Sequence, residues 1–193
     1  MPEPQAPKQR LPNINNPQPF MRLSLIGMPG AGKTTLGQAL AVAYEVPFLD
    51  LDQEIIQREG RSITAIFEAE GESYFREREA AALREVVAAP GPFVLATGGG
   101  TPCFHQNMEV LLETGLVLYL NAPVESLVQR MHRSATVRPL LSGAPDVGAL
   151  ESRLRETLEA RKQFYDRAPL RCTPPACTTA GIRRLVDQYT SAA

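Results

Sequence analysis

The sequence predicts an α/β fold in which a parallel β-sheet is covered by helices on both faces. Short apolar segments alternate along the chain with longer segments of helical periodicity. Segments that are apolar throughout are typical of strands in a sheet that is buried on both sides. A glycine-rich motif also follows the first apolar segment, at the strand-to-helix turn where a phosphate-binding loop must lie.

Elements can be assigned in chain order from Met21 onwards. Strands are predicted at Leu23–Ile26, Pro47–Leu51, Phe93–Ala96 and Leu116–Leu120. Helices are predicted at Thr35–Val46, Ile63–Val87 with a break near Gly71, Val124–His132, Ala149–Arg167 and Ala180–Ser191. The segment Ser134–Gly148 contains two prolines and two glycines and is predicted to be a loop.

Composition limits the classes of protein to which the chain can belong. Its 193 residues fit one domain, assigned to residues 21–193, while residues 1–20 contain six prolines and are expected to form a flexible extension. A net charge of −1 excludes a strongly basic nucleic-acid binder. No apolar run approaches the ~18 residues of a membrane span, and no apolar stretch predicts a secretory signal.

Cysteine usage predicts neither a disulfide scaffold nor a structural zinc site. Cys103, Cys172 and Cys177 are few and scattered, and no Cys-x-x-Cys pair is present. We therefore expect unlinked thiols, which fits a reducing cytoplasm.

The segment Gly27–Thr34, GMPGAGKT, matches the pattern G-x-x-x-x-G-K-[ST] of loops that bind nucleoside triphosphates. Its glycines let successive backbone N–H groups face an anion at the start of a helix. Lys33 is expected to reach the β- and γ-phosphates, and the Thr34 hydroxyl is expected to hold Mg²⁺.

Three classes of phosphate-loop protein compete: a small-molecule kinase, a GTPase-type switch and an ATPase motor. A GTPase should carry the guanine-reading sequence Asn-Lys-x-Asp, which the chain lacks. A motor usually ends a strand in adjacent acids, whereas the third predicted strand runs into Thr97–Gly100, TGGG. These differences and the short length favour a kinase.

Asp50 and Asp52 lie at the carboxyl end of the second predicted strand, the edge of a parallel sheet that borders its binding crevice. Strand alternation would place both carboxylates on one side of the sheet. One is then expected to serve the metal or an acceptor hydroxyl, and the other the substrate. Solvated loop acids are the alternative interpretation.

Two further features indicate a ligand near the third strand. The triplet Gly98–Gly100 costs entropy on folding, which indicates that something approaches the backbone closely, with a tight turn as the alternative. Arg161 and Tyr165 continue a stripe of three leucines on one face of a predicted helix. A cation on a core-facing stripe needs an anionic partner, either a ligand or an internal acid.

The ordered set of motifs resembles that of the shikimate kinases, members of the nucleoside-monophosphate-kinase-like P-loop family. The matching segments are Gly27–Thr35 (GMPGAGKTT), Asp50–Gln53 (DLDQ), Phe75–Glu79 (FRERE), Thr97–Gly100 (TGGG), Val137–Leu141 (VRPLL) and Arg161–Tyr165 (RKQFY). The resemblance implies a three-layer P-loop kinase fold with a central parallel sheet of about five strands, flanking helices and a mobile lid at about residues 134–148.

The resemblance also implies an activity, which is ATP-dependent phosphorylation of the 3-hydroxyl of shikimate to shikimate 3-phosphate in aromatic amino acid biosynthesis. It implies one Mg²⁺ ion held by Thr34 and Asp50, with ATP as co-substrate, in a monomeric cytoplasmic enzyme without nucleic-acid or membrane partners. The implied catalytic residues are Lys33, Asp50 and Arg138, the last on the lid. The implied shikimate contacts are Asp52, Arg76, Gly99 and Arg161, and the implied ATP contacts are Gly30, Ala31, Gly32, Lys33, Thr34, Thr35 and Arg138.

The chain departs from the family pattern near the adenine. The family often has an arginine seven residues before Arg138, where this chain has Met131 with Arg130 beside it. A later arginine that contacts the nucleotide is also missing, since the matching stretch is Pro175–Thr178. Arg130 is therefore the candidate replacement at the adenine.

Two other functions remain open from the sequence. One is a kinase of gluconate or of a nucleoside monophosphate, which would share the phosphate loop. The other is a non-catalytic, nucleotide-dependent regulator with the proline-rich segment 1–20 as its effector.

Overall fold

The computed structural model describes residues 21–133 and 147–192, apart from a few side chains at the ends of these ranges. The predictions for residues 1–20, for Arg138 and for lid residues 134–146 lie outside the described residues.

The described residues form five strands and seven α-helices. The strands are β1 Arg22–Ile26, β2 Phe48–Asp50, β3 Phe93–Ala96, β4 Leu116–Leu120 and β5 Leu170–Cys172. The helices are α1 Lys33–Tyr44, α2 Leu51–Glu59, α3 Ile63–Ala88, α4 Asn107–Thr114, α5 Val124–Arg133, α6 Val147–Tyr165 and α7 Thr179–Ala192, with a 3₁₀ turn at Thr101–Cys103.

The five strands form one parallel sheet in the order β2-β3-β1-β4-β5. Strand β1 lies at the centre, where Leu23 is in register with Val94 of β3 and Leu116 of β4. Strand β3 is buried along its whole length, and β1 and β4 are buried after their first residue. The α/β class, the parallel sheet and the flanking helices are therefore confirmed.

The four predicted strands are present, whereas β5, α2 and α4 were not predicted. Strand β5 has three residues, and Arg171 between its two buried neighbours is exposed, so the segment offers no continuous apolar run. Helix α6 begins at Val147, two residues before the predicted start, and ends at Tyr165. The predicted break in α3 is confirmed, because Gly71 has φ 80° and ψ −179° within that helix.

The prediction that Asp50 and Asp52 alternate along one strand is wrong. Strand β2 ends at Asp50, and α2 begins at Leu51. The Asp50 side chain caps this helix, since its Oδ1 accepts a hydrogen bond of 3.1 Å from the backbone N–H of Asp52. Asp52 therefore lies in the first helical turn, still at the carboxyl edge of the sheet.

The prediction of unlinked thiols is wrong for two of the three cysteines. Cys172 and Cys177 form a disulfide, while Cys103 is free. Cys172 ends β5, and the loop that follows turns back before α7, which brings the two Cα atoms to 5.5 Å. Cys177 also lines the cleft described below, so the disulfide closes a loop in the wall of that cleft.

No helix in the described ranges is both long enough and apolar enough to cross a membrane.

Gly115, which joins α4 to β4, tests the packing of the central strands. A Cβ atom there would collide with the backbone oxygen of Arg22 at the start of β1. We expect Gly115→Ala to lower the free energy of unfolding by about 1–3 kcal/mol, because strand backbone has little room to move. Gly60→Ala is the control, since its added methyl would meet no atom within 4 Å and its cost is the left-handed conformation alone. Chemical denaturation measures both variants, and a smaller loss for Gly115→Ala than for Gly60→Ala would contradict the expectation.

Candidate active site

The carboxyl ends of β1, β2 and β3 meet at one edge of the sheet and border a cleft of about 810 Å³. The phosphate loop follows β1, Asp50 ends β2, and Thr97 follows β3; residues from all three segments line this cleft. Open α/β sheets bind ligands at this edge, and the volume suits a nucleotide.

The phosphate loop can form only because its first residue is glycine. Gly27 has φ 138°, and a Cβ atom there would lie 2.6 Å from the backbone oxygen of Leu120. Helix α1 then begins at Lys33, with its N-terminus at the loop. The Lys33 side chain is buried, and its Nζ donates hydrogen bonds of 2.8 Å to the Gly27 oxygen and 3.1 Å to the Met28 oxygen. The ammonium group is thus held inside the loop, where it can meet phosphate oxygens.

Thr34 and Asp50 form a pair of oxygen donors beside the loop. Thr34 Oγ1 donates a hydrogen bond of 3.0 Å to Asp50 Oδ2. The described residues contain no group of three or more His, Cys, Asp or Glu side chains that could hold a metal. A hydroxyl with a single carboxylate fits Mg²⁺, which keeps several waters and takes further ligands from substrate phosphates.

The triplet Gly98–Gly100 is the point at which polar side chains from three helices meet. The distances from a Cβ atom built on each glycine show how close these side chains come. Such an atom on Gly98 would lie 3.2 Å from Asp52 Oδ1, and one on Gly99 would lie 3.1 Å from Arg161 Nη1. One on Gly100 would lie 2.6 Å from Arg76 Nη2. The second glycine also touches the phosphate loop, since its Cβ atom would lie 2.6 Å from Pro29 Cδ. The triplet thus brings the four residues implied as shikimate contacts together, beside the phosphate loop.

Arg161 has an unsatisfied buried donor. Its Nη1 is buried and has no hydrogen-bond partner in the described part of the chain, and no acid there forms an ion pair with Arg161. Tyr165, one turn further along α6, is fully buried and donates a hydrogen bond of 2.5 Å to the Gly99 oxygen. Burial raises the pKa of Tyr165, so the phenol remains a donor and fixes this turn against the triplet. The internal acid that could explain Arg161 is not found among the described residues, and an anionic ligand is the other explanation that the sequence left open.

Arg76, in contrast, already has two acid partners. Its Nη1 donates to Glu79 Oε2 at 2.7 Å, and its Nε and Nη2 donate to Glu72 Oε1 at 3.2 and 3.0 Å. Glu79 is fully buried, and burial raises its pKa, with Arg76 opposing the shift. Sequence reasoning did not assign a role to Glu79, although its spacing of three residues from Arg76 on a helix was the available signal.

Both departures from the family pattern lie in the cleft wall. Met131 and Thr178 line the cleft, as do Arg130 and Pro175. Arg130 Nη1 donates hydrogen bonds of 3.2 and 3.0 Å to the backbone oxygens of the phosphate-loop residues Gly30 and Ala31. Arg130 thus lines the cleft beside the phosphate loop, with part of its guanidinium bound to the loop.

Comparisons with known proteins agree on one family. Residues 29–190 match the family model described as shikimate kinase. A shikimate kinase of Bordetella pertussis is 46% identical over 142 residues, which are 74% of this chain and 64% of that protein. The shikimate kinase of Bacteroides thetaiotaomicron is 40% identical over 149 residues, covering 77% of this chain and 84% of that protein.

A solved structure gives the same result. Shikimate kinase from Acinetobacter baumannii in complex with shikimate superposes with a TM-score of 0.78 at 36% identity, over 89% of this chain and 94% of that chain. The chain spans less than two thirds of the Bordetella relative and nearly all of the Acinetobacter chain.

The different surroundings of the two arginines predict different effects of their substitution on stability. Arg76→Met leaves the buried Glu79 carboxylate without its cation, and we expect it to lower the free energy of unfolding by about 3–5 kcal/mol. Arg161→Met removes a cation that has no acid partner among the described residues, and we expect no loss of stability in the protein without ligands. Thermal unfolding of both variants at neutral pH measures the contrast. A loss for Arg161→Met equal to that of Arg76→Met would show that Arg161 is a structural cation.

Proposed function

We propose, since the chain belongs to the shikimate kinase family, that it transfers the γ-phosphoryl group of ATP to the 3-hydroxyl of shikimate. The products are shikimate 3-phosphate and ADP, in a step of aromatic amino acid biosynthesis. The observation that supports this most strongly is the buried Nη1 of Arg161, which has no hydrogen-bond partner among the described residues and lies at the glycine triplet beside the phosphate loop. Two sites for anions thus adjoin at one edge of the sheet.

The chemistry of shikimate matches the residues around the triplet. Shikimate has one carboxylate and three ring hydroxyls. We assign its carboxylate to Arg161 and Arg76, because a planar guanidinium binds a carboxylate through two parallel hydrogen bonds. Asp52 is assigned to the hydroxyls, whose protons a carboxylate accepts, and the backbone at Gly99 forms the floor of the site.

The phosphate loop binds the triphosphate of ATP in this proposal. Backbone N–H groups of residues 30–35 and the helix N-terminus bind the phosphates, and Lys33 neutralises charge on the β- and γ-phosphates. Arg138, outside the described residues, is assigned to the ATP phosphates, where its positive charge would oppose the developing negative charge. Mg²⁺, held by Thr34 and Asp50, supplies neutralisation of phosphate charge when it is bound.

Asp50 is assigned a second role at the acceptor. We assign it to orient the 3-hydroxyl of shikimate towards the γ-phosphorus and to accept the proton that this hydroxyl loses. Because phosphoryl transfer depends mainly on position and charge, the orienting role carries more of the rate than the strength of the base. Arg130 is assigned to the nucleotide in place of the arginine that the family often has nearer the lid.

The remaining parts of the proposal concern the whole protein. Residues 21–193 are assigned to one kinase domain, whereas the assignments of residues 1–20 and of most of the lid segment 134–148 lie outside the described residues. The enzyme is monomeric and cytoplasmic and has no nucleic-acid or membrane partner.

An acceptor panel tests the activity. ATP consumption in Mg²⁺ buffer is measured with shikimate, with gluconate and with nucleoside monophosphates. We expect turnover above the ATPase background with shikimate only. Faster turnover with another acceptor would make the protein a different small-molecule kinase, and tight ATP binding with no turnover would favour a regulator.

Two alanine variants separate the two anion sites. Arg161→Ala is expected to lower kcat/KM for shikimate at least ~30-fold, equivalent to ~2 kcal/mol, with an unchanged KM for ATP. Lys33→Ala is expected to lower kcat about 10²–10³-fold, because it removes a cation from the transferring phosphate. The exposed neighbour Lys162→Ala is the matched control and should match the wild type. Unchanged shikimate kinetics in Arg161→Ala would overturn the carboxylate assignment.

A further inference from the structure

Three buried polar residues behind the proposed substrate site have no part in the mechanism above. Glu79, Thr101 and Asn107 are each fully inaccessible to solvent. They lie on three elements, which are α3, the 3₁₀ turn after the glycine triplet, and the start of α4. Burying three polar side chains together is costly unless each has a partner, so their hydrogen bonds indicate what they do.

The Glu79 carboxylate is bound at both of its oxygens. Thr101 Oγ1 donates to Glu79 Oε1 at 2.6 Å, and Arg76 Nη1 donates to Glu79 Oε2 at 2.7 Å. Both lengths are those of hydrogen bonds to an ionised carboxylate. Because the Thr101 hydroxyl fixes Glu79 Oε1, the other carboxylate oxygen, Oε2, points in a defined direction. That direction sets the position of the Arg76 guanidinium.

Thr101 is itself held from the side away from the substrate site. Its backbone oxygen accepts a hydrogen bond of 3.0 Å from Asn107 Nδ2, and Asn107 Oδ1 accepts one of 3.1 Å from Arg84 Nη1. Arg84 lies on α3 and also donates to the Ala80 oxygen, so the hydrogen bonds start and end on the same helix. The backbone of Thr101 is therefore tied to α3 through Asn107 and Arg84, which limits where its hydroxyl can lie.

We propose that Thr101 is a positioning residue for substrate binding, whose hydroxyl holds Glu79 in the orientation that aims Arg76 at the substrate carboxylate. The inference rests on the proposed function, because it takes shikimate as the ligand of Arg76. Thr101 contributes no contact of its own to the substrate. Its effect is on shikimate binding and not on phosphoryl transfer.

The electrostatics of Glu79 give this role a pH dependence. Burial raises the pKa of Glu79 above its ordinary value of 4.5, whereas Arg76 and the Thr101 hydroxyl oppose the shift and Asp52 of α2 adds to it. Cys103, on the same turn as Thr101, also faces Glu79, but burial raises its pKa to about 11, which keeps the thiol neutral near pH 7. Loss of the Thr101 hydroxyl removes a donor to the ionised form, so the pKa of Glu79 must rise further.

The test compares Thr101→Val, which keeps the shape and removes the hydroxyl, with Thr101→Ser, which keeps the hydroxyl. We expect Thr101→Val to raise KM for shikimate about tenfold, the factor that ~1.4 kcal/mol represents, with kcat and KM for ATP unchanged. The acid limb of its kcat/KM profile for shikimate should move to higher pH. Thr101→Ser should restore both values. Thr101→Ala takes the place of the valine variant if that variant does not fold.

Three outcomes would overturn the inference. An unchanged KM for shikimate in Thr101→Val would show that the hydroxyl does not position Arg76. A lower kcat, a higher KM for ATP and a lower melting temperature in Thr101→Val would together show that Thr101 has a structural role alone. Failure of Thr101→Ser to restore the wild-type values would show the same. Calorimetric binding of shikimate is measured alongside. If the wild type binds shikimate but does not turn it over, the proposed function is refuted, and the inference is decided by comparing shikimate binding in the wild type and the Thr101 variants. If the wild type does not bind shikimate, both are refuted.

Discussion

A buried guanidinium N–H donor that has no partner among the described residues is the constraint on which the proposed site depends. Arg161 lies on the inner face of α6, and its Nη1 finds no hydrogen-bond acceptor among the described residues. A charge in this position is costly, and a ligand that carries its own anion removes much of the cost on binding. In the proposed function, Arg161 thus lowers the stability of the protein without ligand and raises its affinity for an anionic ligand, which is a common relation at functional sites.

The glycine triplet after β3 allows the polar side chains of the proposed site to come close to one another. Because Gly98–Gly100 has no side chains, Arg76, Arg161 and Asp52 can all approach its backbone, while Pro29 of the phosphate loop touches it from another side. The same stretch of backbone is therefore shared by the two proposed anion sites. Parallel pairing of β1 with β3 sets the spacing between them, since the phosphate loop and the triplet follow strands that are hydrogen-bonded neighbours.

The two arginines of the site are held by different means. Arg76 is fixed by Glu79 and Glu72 from its own helix, so its position is set before any ligand arrives. Arg161 is held by the helix that carries it and by the Tyr165 hydrogen bond to the triplet, which leaves its Nη1 available. A substrate carboxylate would thus meet one cation whose charge is already balanced and one whose charge is not.

The sequence was most informative where a signal is local. Continuous apolar runs located four of the strands, and the phosphate-loop motif located the start of α1. Strand β5 was missed because the exposed Arg171 interrupts it, and α2 because Asp50 reads equally well as the end of a strand or as a helix cap. The Cys172–Cys177 disulfide depends on how the short loop after β5 turns back, and the Thr101–Glu79 hydrogen bond depends on how two segments 22 residues apart pack; no short pattern in the sequence reports either.

The most direct test of the account is a crystal structure with shikimate, Mg²⁺ and a non-hydrolysable ATP analogue bound together. The account predicts that the shikimate carboxylate lies within ~3.2 Å of Arg161 Nη1, with the 3-hydroxyl facing the terminal phosphate on the loop. A ring bound with its carboxylate away from both Arg161 and Arg76 would contradict it.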